Sequence, residues 1–192
     1  MSVPAWLAAI VLFLQLPIPL YWFVLHPLRV FWRRYPRAVY AAGLSCSWLP
    51  VTIAIVAFHR KLFVDQWPSA IRLATGLALI VFEAWVFGRV RRNLGTARLV
   101  GKTELEGSGE IERGGIYSRI RHPRYLASFL AILGACLLAG TRILCLVAAL
   151  WVALMAVIIA LEEREMRTRF GAAYRDYCGK VPRFLPRWDS GR

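Results

Sequence analysis

The sequence predicts an all-α membrane protein: a polytopic bundle of five transmembrane helices, with the N-terminus outside and the C-terminus inside. Three observations lead to this fold class. Hydrophobic residues make up 58% of the 192 residues and mean hydropathy is +0.51, which is more apolar surface than a soluble domain of this size can bury. The apolar residues form five long stretches with few charges. The net charge of +14 is carried mainly between those stretches.

The first stretch, residues 3–25, contains no charged residue and is long enough to cross a hydrocarbon core of roughly 30 Å as a helix. Pro17 and Pro19 predict a kink in the first helix. Membrane helices tolerate such a kink when neighbouring helices satisfy the backbone carbonyls that it leaves free. The last two stretches are almost contiguous, so they predict a tight antiparallel hairpin with Gly140 in its turn. Glu83 lies inside the third stretch, where we expect a structural carboxyl that is paired with a cation or kept neutral. The five stretches are residues 3–25, 38–58, 69–88, 125–141 and 143–161.

The basic residues predict the orientation of the bundle. Of the 25 Lys and Arg residues, 21 lie in the segments 26–37, 89–124 and 162–192, and the other four, Arg60, Lys61, Arg72 and Arg142, lie at the opposite side of the predicted bundle. The positive-inside rule places the 21 on the cytoplasmic side. The sequence therefore predicts an integral, multi-pass protein whose polar connector and C-terminal region face the cytoplasm.

Two cytoplasmic pieces complete the predicted architecture. Residues 91–122 form a polar, glycine-rich connector without a clear helical period. Residues 162–178 predict one amphipathic helix that continues the fifth span, lies along the membrane interface and ends at Gly179. Its apolar face comprises Met166, Phe170, Ala173 and Tyr177.

The hairpin brings two groups of ionisable and aromatic residues to the same height. One group precedes the fourth span, and the other, Glu162 with Glu163, follows the fifth. Because antiparallel neighbours end side by side, we expect both groups to line one cytoplasmic pocket. The first group comprises Tyr117, Arg119, Arg121, His122, Pro123, Arg124 and Tyr125.

Each of these residues also has a purely structural interpretation. His122 and Pro123 could start a helix, because proline favours the first helical position. The arginines and tyrosines could anchor the chain among lipid headgroups, and Glu162 with Glu163 could be a solvated helix end. Four cysteines without a CxxC pair indicate no metal site.

Five motifs in the second half resemble the isoprenylcysteine carboxyl methyltransferase family and the related phospholipid methyltransferases. The resemblance covers about residues 90–188. It implies a membrane helix bundle that binds S-adenosylmethionine in a cytoplasmic pocket, with a tunnel open to the bilayer for a lipophilic acceptor. The motifs, in order, are Gly-Ile-Tyr at 115–117, Arg-His-Pro-Arg-Tyr at 121–125, Glu-Glu at 162–163, Phe-Gly-Ala-Ala-Tyr-Arg-Asp-Tyr at 170–177 and Val-Pro-Arg-Phe-Leu-Pro at 181–186.

The resemblance also implies roles for individual residues. Arg121 and His122 would be catalytic, and Glu162 with Glu163 would hold the amino group of the cofactor. Ile158 departs from the family pattern, because related carboxyl methyltransferases have an arginine there that suits a substrate carboxylate. Arg121 or Arg164 would have to replace that cation. The residues implied to bind the cofactor are Gly109, Glu110, Ile111, Glu112, Tyr117, His122, Pro123, Arg124, Tyr125, Glu162 and Glu163.

The predicted activity is methyl transfer from S-adenosylmethionine to an isoprenylcysteine-like carboxylate or a phospholipid amine. Residues 1–90 would hold the first three spans and residues 91–192 the methyltransferase-like core. The partners would be a lipophilic or lipidated substrate and the bilayer of a bacterial inner membrane or the endoplasmic reticulum, not nucleic acid. Two alternatives remain open at this point: an NADPH-dependent, steroid-reductase-like oxidoreductase, and a non-catalytic protein that binds anionic lipid.

Overall fold

The computed structural model describes residues 1–25, 29–64, 66–99 and 110–186. These residues form eight α-helices and a short 3₁₀ turn, Gly115–Ser118, and no strand occurs among them. The predicted all-α fold is therefore confirmed. In chain order the helices are α1 (Val3–Gln15), α2 (Ile18–Leu25), α3 (Arg29–Arg34), α4 (Pro36–Leu62), α5 (Ala70–Leu99), α6 (Pro123–Ala139), α7 (Arg142–Phe170) and α8 (Ala172–Lys180).

Four helical segments have the length and apolar composition of membrane spans, and they identify a membrane protein. They are Val3–Leu25, Ala38–Leu62, Ala70–Gly95 and Arg142–Phe170. The helix at the predicted fourth span, α6, has 17 residues and measures about 26 Å at 1.5 Å per residue. Helix α6 is surrounded by other helices and most of its residues are buried, so it contributes more to the core than to the lipid-facing surface.

The predicted kink in the first span is present. Helix α1 ends at Gln15 and α2 begins at Ile18, with Pro17 between them. Proline has no amide hydrogen and its ring clashes with the preceding turn. The two short helices therefore share one apolar segment but differ in direction, and α2 carries Trp22 to the end of the bundle where the polar residues gather.

The core of the bundle is the contact of α6 with α5 and α1. Gly76 on α5 and Gly134 on α6 allow the two backbones to touch: a Cβ added to Gly134 would lie 2.8 Å from the Gly76 carbonyl oxygen. Ala131 and Ala135 on α6 are almost fully buried. Small residues at such contacts let membrane helices gain van der Waals packing that lipid tails cannot supply.

The predicted hairpin between α6 and α7 is present at the opposite end of the bundle. Gly140 adopts a left-handed conformation (φ 74°) after α6, and the Thr141 hydroxyl accepts a hydrogen bond from the Leu144 amide at 3.4 Å. Arg72 donates from Nη2 to the Leu137 carbonyl at 2.8 Å. A guanidinium at the C-terminal end of α6 satisfies a free carbonyl and complements the helix dipole.

Helix α5 extends further into the predicted connector than the sequence indicated. It continues past residue 91 to Leu99, with a non-helical residue, Gly95, at φ 68° and ψ 169°. The predicted boundary at residue 90 therefore falls within α5. The division of the chain into N-terminal spans and a methyltransferase-like core stays a prediction. The bend at Gly95 directs the last turn of α5, with Arg98, toward residues 110–112.

The prediction of one continuous helix over residues 162–178 is wrong. Gly171 breaks it, with φ 54° and ψ −123°, a conformation that residues with a Cβ rarely adopt. Helix α8 therefore turns away from α7 and ends at Lys180, one residue beyond the predicted Gly179. Its Tyr174 and Tyr177 side chains are buried, so this face packs against protein instead of lying along the interface.

The partner of Glu83 is an amide and not a cation, so of the two expected states the structure does not support the ion pair. The Gln15 Nε2 atom donates to Glu83 Oε1 at 3.5 Å, and the Gln15 carbonyl accepts a hydrogen bond from Trp151 Nε1 at 3.2 Å. Gln15 closes α1 just before the Pro17 break, so its carbonyl is available to Trp151. The pair links α1, α5 and α7 inside the bundle, which is a structural role.

Candidate functional site

The structure brings the two predicted groups of polar residues together at one end of the bundle. The Tyr125 hydroxyl donates to Glu162 Oε2 at 2.5 Å, and His122 Nε2 lies 3.1 Å from Glu163 Oε1. Both pairs join the first turn of α6 to the later part of α7. The expected convergence at the open end of the hairpin is therefore present in the fold.

A segment that the sequence placed outside the site fixes the backbone of Arg121 and His122. Residues 181–186, called here the C-terminal strap, cross back beside the start of α6. The Arg121 amide donates to the Pro182 carbonyl at 2.8 Å, and the His122 amide donates to the Arg183 carbonyl at 3.0 Å. The strap holds His122 in its place before Pro123, which occupies the first turn of α6.

Glu163 is a buried structural carboxylate with four cationic or imidazole neighbours. Only 2% of its surface is exposed. Arg183 contacts both oxygens, at 3.0 and 2.7 Å, and the hydrogen bond with Glu163 raises the pKa of Arg183. Arg121 and His122 contact Oε1 at 3.0 and 3.1 Å, and Arg167 lies 3.4 Å from Oε2.

Glu162 has a different environment although it is adjacent in sequence. Its side chain lines a cleft between α7, α8 and the 3₁₀ turn. Among the described residues, no Lys, Arg or His nitrogen lies within the 4.0 Å ion-pair distance of Glu162, and its partner is the neutral Tyr125 phenol. Helix geometry separates the two acids by about 100° around the α7 axis. Glu162 therefore faces the cleft, whereas Glu163 points away from it and does not line it.

The cleft has a volume of about 130 Å³, and a deeper recess of about 60 Å³ beside it shares most of its walls and also touches Arg124 and Tyr125. The side chains that line the cleft are Trp22, Leu94, Arg98, Glu110, Ile111, Glu112, Tyr117, Arg121, His122, Glu162, Glu165, Met166, Arg169, Phe170, Tyr174 and Tyr177.

Residues 110–112, which the resemblance assigns to cofactor binding, form one wall of the cleft. Glu112 accepts an ion-paired hydrogen bond from Arg98 at 3.0 Å, and the Glu110 carbonyl accepts a second one from the same guanidinium. Ile111 packs against the buried face of α8. Gly109, which the resemblance also assigns to cofactor binding, lies outside the described residues.

Three other residues predicted to bind the cofactor, Tyr117, Arg124 and Pro123, differ in whether they line the cleft. Tyr117 is buried in the wall of the cleft, and its carbonyl accepts a hydrogen bond from the Tyr177 hydroxyl at 2.6 Å. Arg124 lines the deeper recess and stacks over the Trp22 ring, 5.4 Å from its centroid. Pro123 is buried in the first turn of α6 and does not line the cleft.

The sequence identified Tyr117 and Tyr125 as site residues but not the other aromatic residues of the cleft. Trp22 comes from the first span, and Tyr174 and Tyr177 come from α8, which breaks at Gly171 and packs inward. The apolar spacing of Phe170 and Tyr177 was the available signal, but it also fits an interfacial helix. Burial raises the pKa of Tyr177 to about 12, so its hydroxyl stays protonated as a donor at neutral pH.

An apolar groove of about 370 Å³ lies beside α6 and α7 in the same region. Tyr125 is common to this groove and to the deeper recess of the cleft, so its side chain separates the two spaces. Arg183 and Phe184 of the strap close one end of the groove. The other lining residues, Leu126, Phe129, Trp151, Val152, Met155, Ala156 and Ile159, belong to α6 and α7.

The composition of the cleft suits an organic ligand with separated charges. Glu162 offers a carboxylate without a paired cation, and the guanidinium of Arg121 is buried with Nε free of any hydrogen-bond partner among the residues described. Aromatic rings offer flat apolar surfaces and attract cations. Within the described ranges, no three His, Cys, Asp or Glu side chains are grouped so that they could hold a metal ion.

This fold and this cleft define a helical membrane protein with a polar cleft at one end of its bundle and an apolar groove beside it. The family model for phospholipid methyltransferase matches residues 71–173, which is more than half of the chain. The chain belongs to the phospholipid methyltransferase family, a family of membrane methyltransferases, and the relationship inferred from the motifs is confirmed.

A curated relative covers most of the chain. It is the nickel-cobalt-cadmium resistance protein NccN of Alcaligenes xylosoxydans xylosoxydans, which is 27% identical over 163 residues. The matched region includes 84% of this chain and 69% of that protein. The similarity therefore extends beyond the part that the family model matches, into the N-terminal helices.

Proposed function

We propose that this protein transfers a methyl group from S-adenosylmethionine to a lipophilic acceptor that reaches the site from the bilayer. The observation that carries the proposal is Glu162: a carboxylate in the wall of an aromatic cleft, without a cation among the described residues. A partly enclosed carboxylate is stabilised by a positive partner. The amino group and sulfonium of S-adenosylmethionine would supply positive charge in this cleft.

The residues present fit this cofactor. Glu162 would hold the amino group, and the unpaired Nε of Arg121 would meet the carboxylate of the same amino-acid moiety. Trp22, Tyr117 and Tyr174 would provide apolar surface for the adenine and ribose. When bound, S-adenosylmethionine supplies a methyl group on a positively charged sulfur, chemistry that needs neither a metal nor a covalent enzyme intermediate.

The apolar groove supports a lipid acceptor. Its walls are hydrocarbon and aromatic, and it shares Tyr125 with the cleft, so an acceptor in the groove would meet the cofactor across that side chain. Holding two reactants in alignment away from water contributes up to roughly 7–11 kcal/mol to catalysis. In this proposal Tyr125, oriented by Glu162, sets the boundary between the reactants and excludes water.

Arg121 and His122 have positioning roles in this proposal. Both contact Glu163, and both backbone amides are bound to the strap. The His122 ring faces the Tyr125 ring, with centroids 5.6 Å apart. They therefore fix Tyr125 and the groove wall, and the Arg121 guanidinium also reaches the cleft, where it would touch the cofactor.

We favour a phospholipid amine over a carboxylate as the acceptor. Ile158 is buried and supplies no charge. Arg121, one of its two predicted substitutes, is bound to Glu163 and the Cys178 carbonyl, and this proposal assigns its remaining Nε donor to the carboxylate of the cofactor. The other, Arg164, lies on the face of α7 away from the cleft. A carboxylate acceptor would lack the cation that related carboxyl methyltransferases provide, whereas an amine does not need one.

We infer that the cleft faces the cytoplasm of a bacterial inner membrane or the cytoplasmic side of the endoplasmic reticulum. The segments that hold 21 of the 25 basic residues lie before and at the start of α4, from the later part of α5 to the start of α6, and from the later part of α7 onward. Successive antiparallel passes place these segments at the end of the bundle that carries the cleft. The positive-inside rule then supports a cytoplasmic site.

Calorimetry on the detergent-purified protein tests the cofactor. We expect saturable binding of S-adenosylmethionine and no binding of NADPH at the same concentrations. Binding of NADPH alone would favour a reductase. Binding of neither compound by a folded sample would favour a non-catalytic lipid-binding protein, and either result would contradict the proposal.

A further inference from the structure

A second polar pocket lies on the face of α7 that points away from the cleft. It is open and has a volume of about 350 Å³. The cleft takes Glu162 and Met166 from α7, whereas this pocket takes Glu163 and Arg167, so the two spaces use different faces of one helix. We call it the arginine pocket, and its lining residues are Ala160, Glu163, Arg164, Arg167, Thr168 and Arg183.

The arginine pocket carries more positive than negative charge. Glu163 is its one acidic side chain among the lining residues, and it is already shared by Arg183, Arg167 and the buried Arg121. The side chains of Arg167 and Arg183 remain 54% and 52% exposed. Arg164 adds another guanidinium without an acidic partner among the residues described, so N–H donors remain available to an anion.

The surface that leads from the arginine pocket into the membrane is apolar. Val157 and Leu161 lie one to two turns before Arg164 and are 50% and 48% exposed. Residues 157, 161, 164 and 168 follow the spacing of one helical face. A ligand that fits both features has an anionic head and a hydrocarbon chain.

We propose that the arginine pocket binds the phosphate of an anionic phospholipid headgroup, while an acyl chain lies along the exposed face of α7. Guanidinium groups suit phosphate because they offer paired N–H donors in a planar fork. This lipid site is separate from the cleft and does not depend on methyl transfer. Because Arg183 belongs to the strap, a lipid phosphate bound here would also fasten the strap to α7.

Lipid titration of the full chain in detergent tests this site. The lipids are dioleoylphosphatidylglycerol, which is anionic, and dioleoylphosphatidylcholine, which is zwitterionic, and inorganic phosphate at equal concentration tests the free anion. The readouts are the dissociation constant from native mass spectrometry and the thermal midpoint. We expect phosphatidylglycerol to bind at least about tenfold more tightly than phosphatidylcholine and to raise the midpoint, and phosphate alone to leave the midpoint unchanged.

Variants locate the binding. The double substitution Arg164→Gln and Arg167→Gln should weaken phosphatidylglycerol binding about tenfold and remove the thermal shift, whereas Arg175→Gln on the exposed face of α8 should match the wild type. Arg164→Gln alone leaves the Glu163 cluster intact and should weaken binding in the same direction if the double variant fails to fold. Wild-type binding by the double variant or by Arg164→Gln would overturn the site, and so would equal affinity for the two lipids. A thermal shift with phosphate equal to that with phosphatidylglycerol would overturn the lipid assignment.

Discussion

The hydroxyl of Tyr125 donates a 2.5 Å hydrogen bond to the carboxylate of Glu162, and this contact joins the first turn of α6 to α7 at the wall of the cleft. The phenol orients the carboxylate without neutralising it. The adjacent Glu163 is instead bound by three arginines and a histidine. Two consecutive acids therefore have different environments: Glu162 lines the cleft, and Glu163 is buried in an ion-pair cluster.

Glu162→Gln should weaken the binding of S-adenosylmethionine more than tenfold, which is about 1.4 kcal/mol. The amide can still accept the Tyr125 hydrogen bond, so the change removes mainly the charge. Calorimetry on detergent-purified protein measures the affinity. Asp176→Asn is the matched control, since Asp176 is an exposed acid paired with Lys180 on α8 and should bind like the wild type. Unchanged affinity in the Glu162 variant would remove this residue from the site.

Glu163→Gln should lower thermal stability much more than Glu162→Gln does. Removing one partner of a buried ion pair leaves uncompensated charge, here on the nearly buried Arg121, and costs about 3 kcal/mol. For a chain of this length that corresponds to a fall of roughly 6 to 12 °C in the thermal midpoint. Differential scanning fluorimetry in detergent gives the comparison. Equal midpoints for the two variants would show that Glu163 does not stabilise the fold as described.

Tyr177 should make the protein sensitive to alkaline pH. Burial raises the pKa of Tyr177 to about 12, above the ordinary value of about 10. The unfolded chain therefore ionises first, so the stabilisation from this group is complete below pH 10 and is lost as the pH rises toward 12. Between those values the thermal midpoint of the wild type should fall more steeply than that of Tyr177→Phe. Parallel slopes would contradict a buried, protonated hydroxyl that donates to the Tyr117 carbonyl.

Gly134→Ala should destabilise the bundle because the new Cβ would lie 2.8 Å from the Gly76 carbonyl oxygen. Overpacking of this kind typically costs about 1–3 kcal/mol. Gly88→Ala provides a matched control on α5, since a Cβ there meets no described atom within 4 Å. Thermal midpoints in detergent should fall for the first variant only. A similar response of both variants would show that α5 and α6 do not touch at the glycines.

Much of the fold could be predicted from apolar length and charge. The Pro17 break, the turn at Gly140 and the convergence of His122 with the acids follow from local signals and from the geometry of a hairpin. The two inaccurate boundaries both involve glycine. Both glycines have a positive φ, and local composition does not show that Gly95 (φ 68°) only bends α5 whereas Gly171 (φ 54°) ends α7.

The separation of Glu162 from Glu163 could not be predicted with the same certainty. The sequence shows two adjacent acids, but their neighbours come from distant segments. Arg183 lies 20 residues further on, in a strap whose return is set by backbone hydrogen bonds to Arg121 and His122. Trp22 reaches the cleft through the packing of the first span. Such long-range contacts leave no periodic signal in the local sequence.

Methyl transfer itself is the most direct test of the central claim. The purified protein, returned to bilayers that contain phosphatidylethanolamine, is incubated with S-adenosylmethionine carrying a labelled methyl group, and the lipids are then extracted. The account predicts label in the lipid fraction with the wild type and a large reduction with Glu162→Gln. Equal labelling by a correctly folded Glu162→Gln variant would contradict the cleft as the cofactor site. No labelling of lipids from any membrane fraction by folded wild-type protein would contradict the proposed activity.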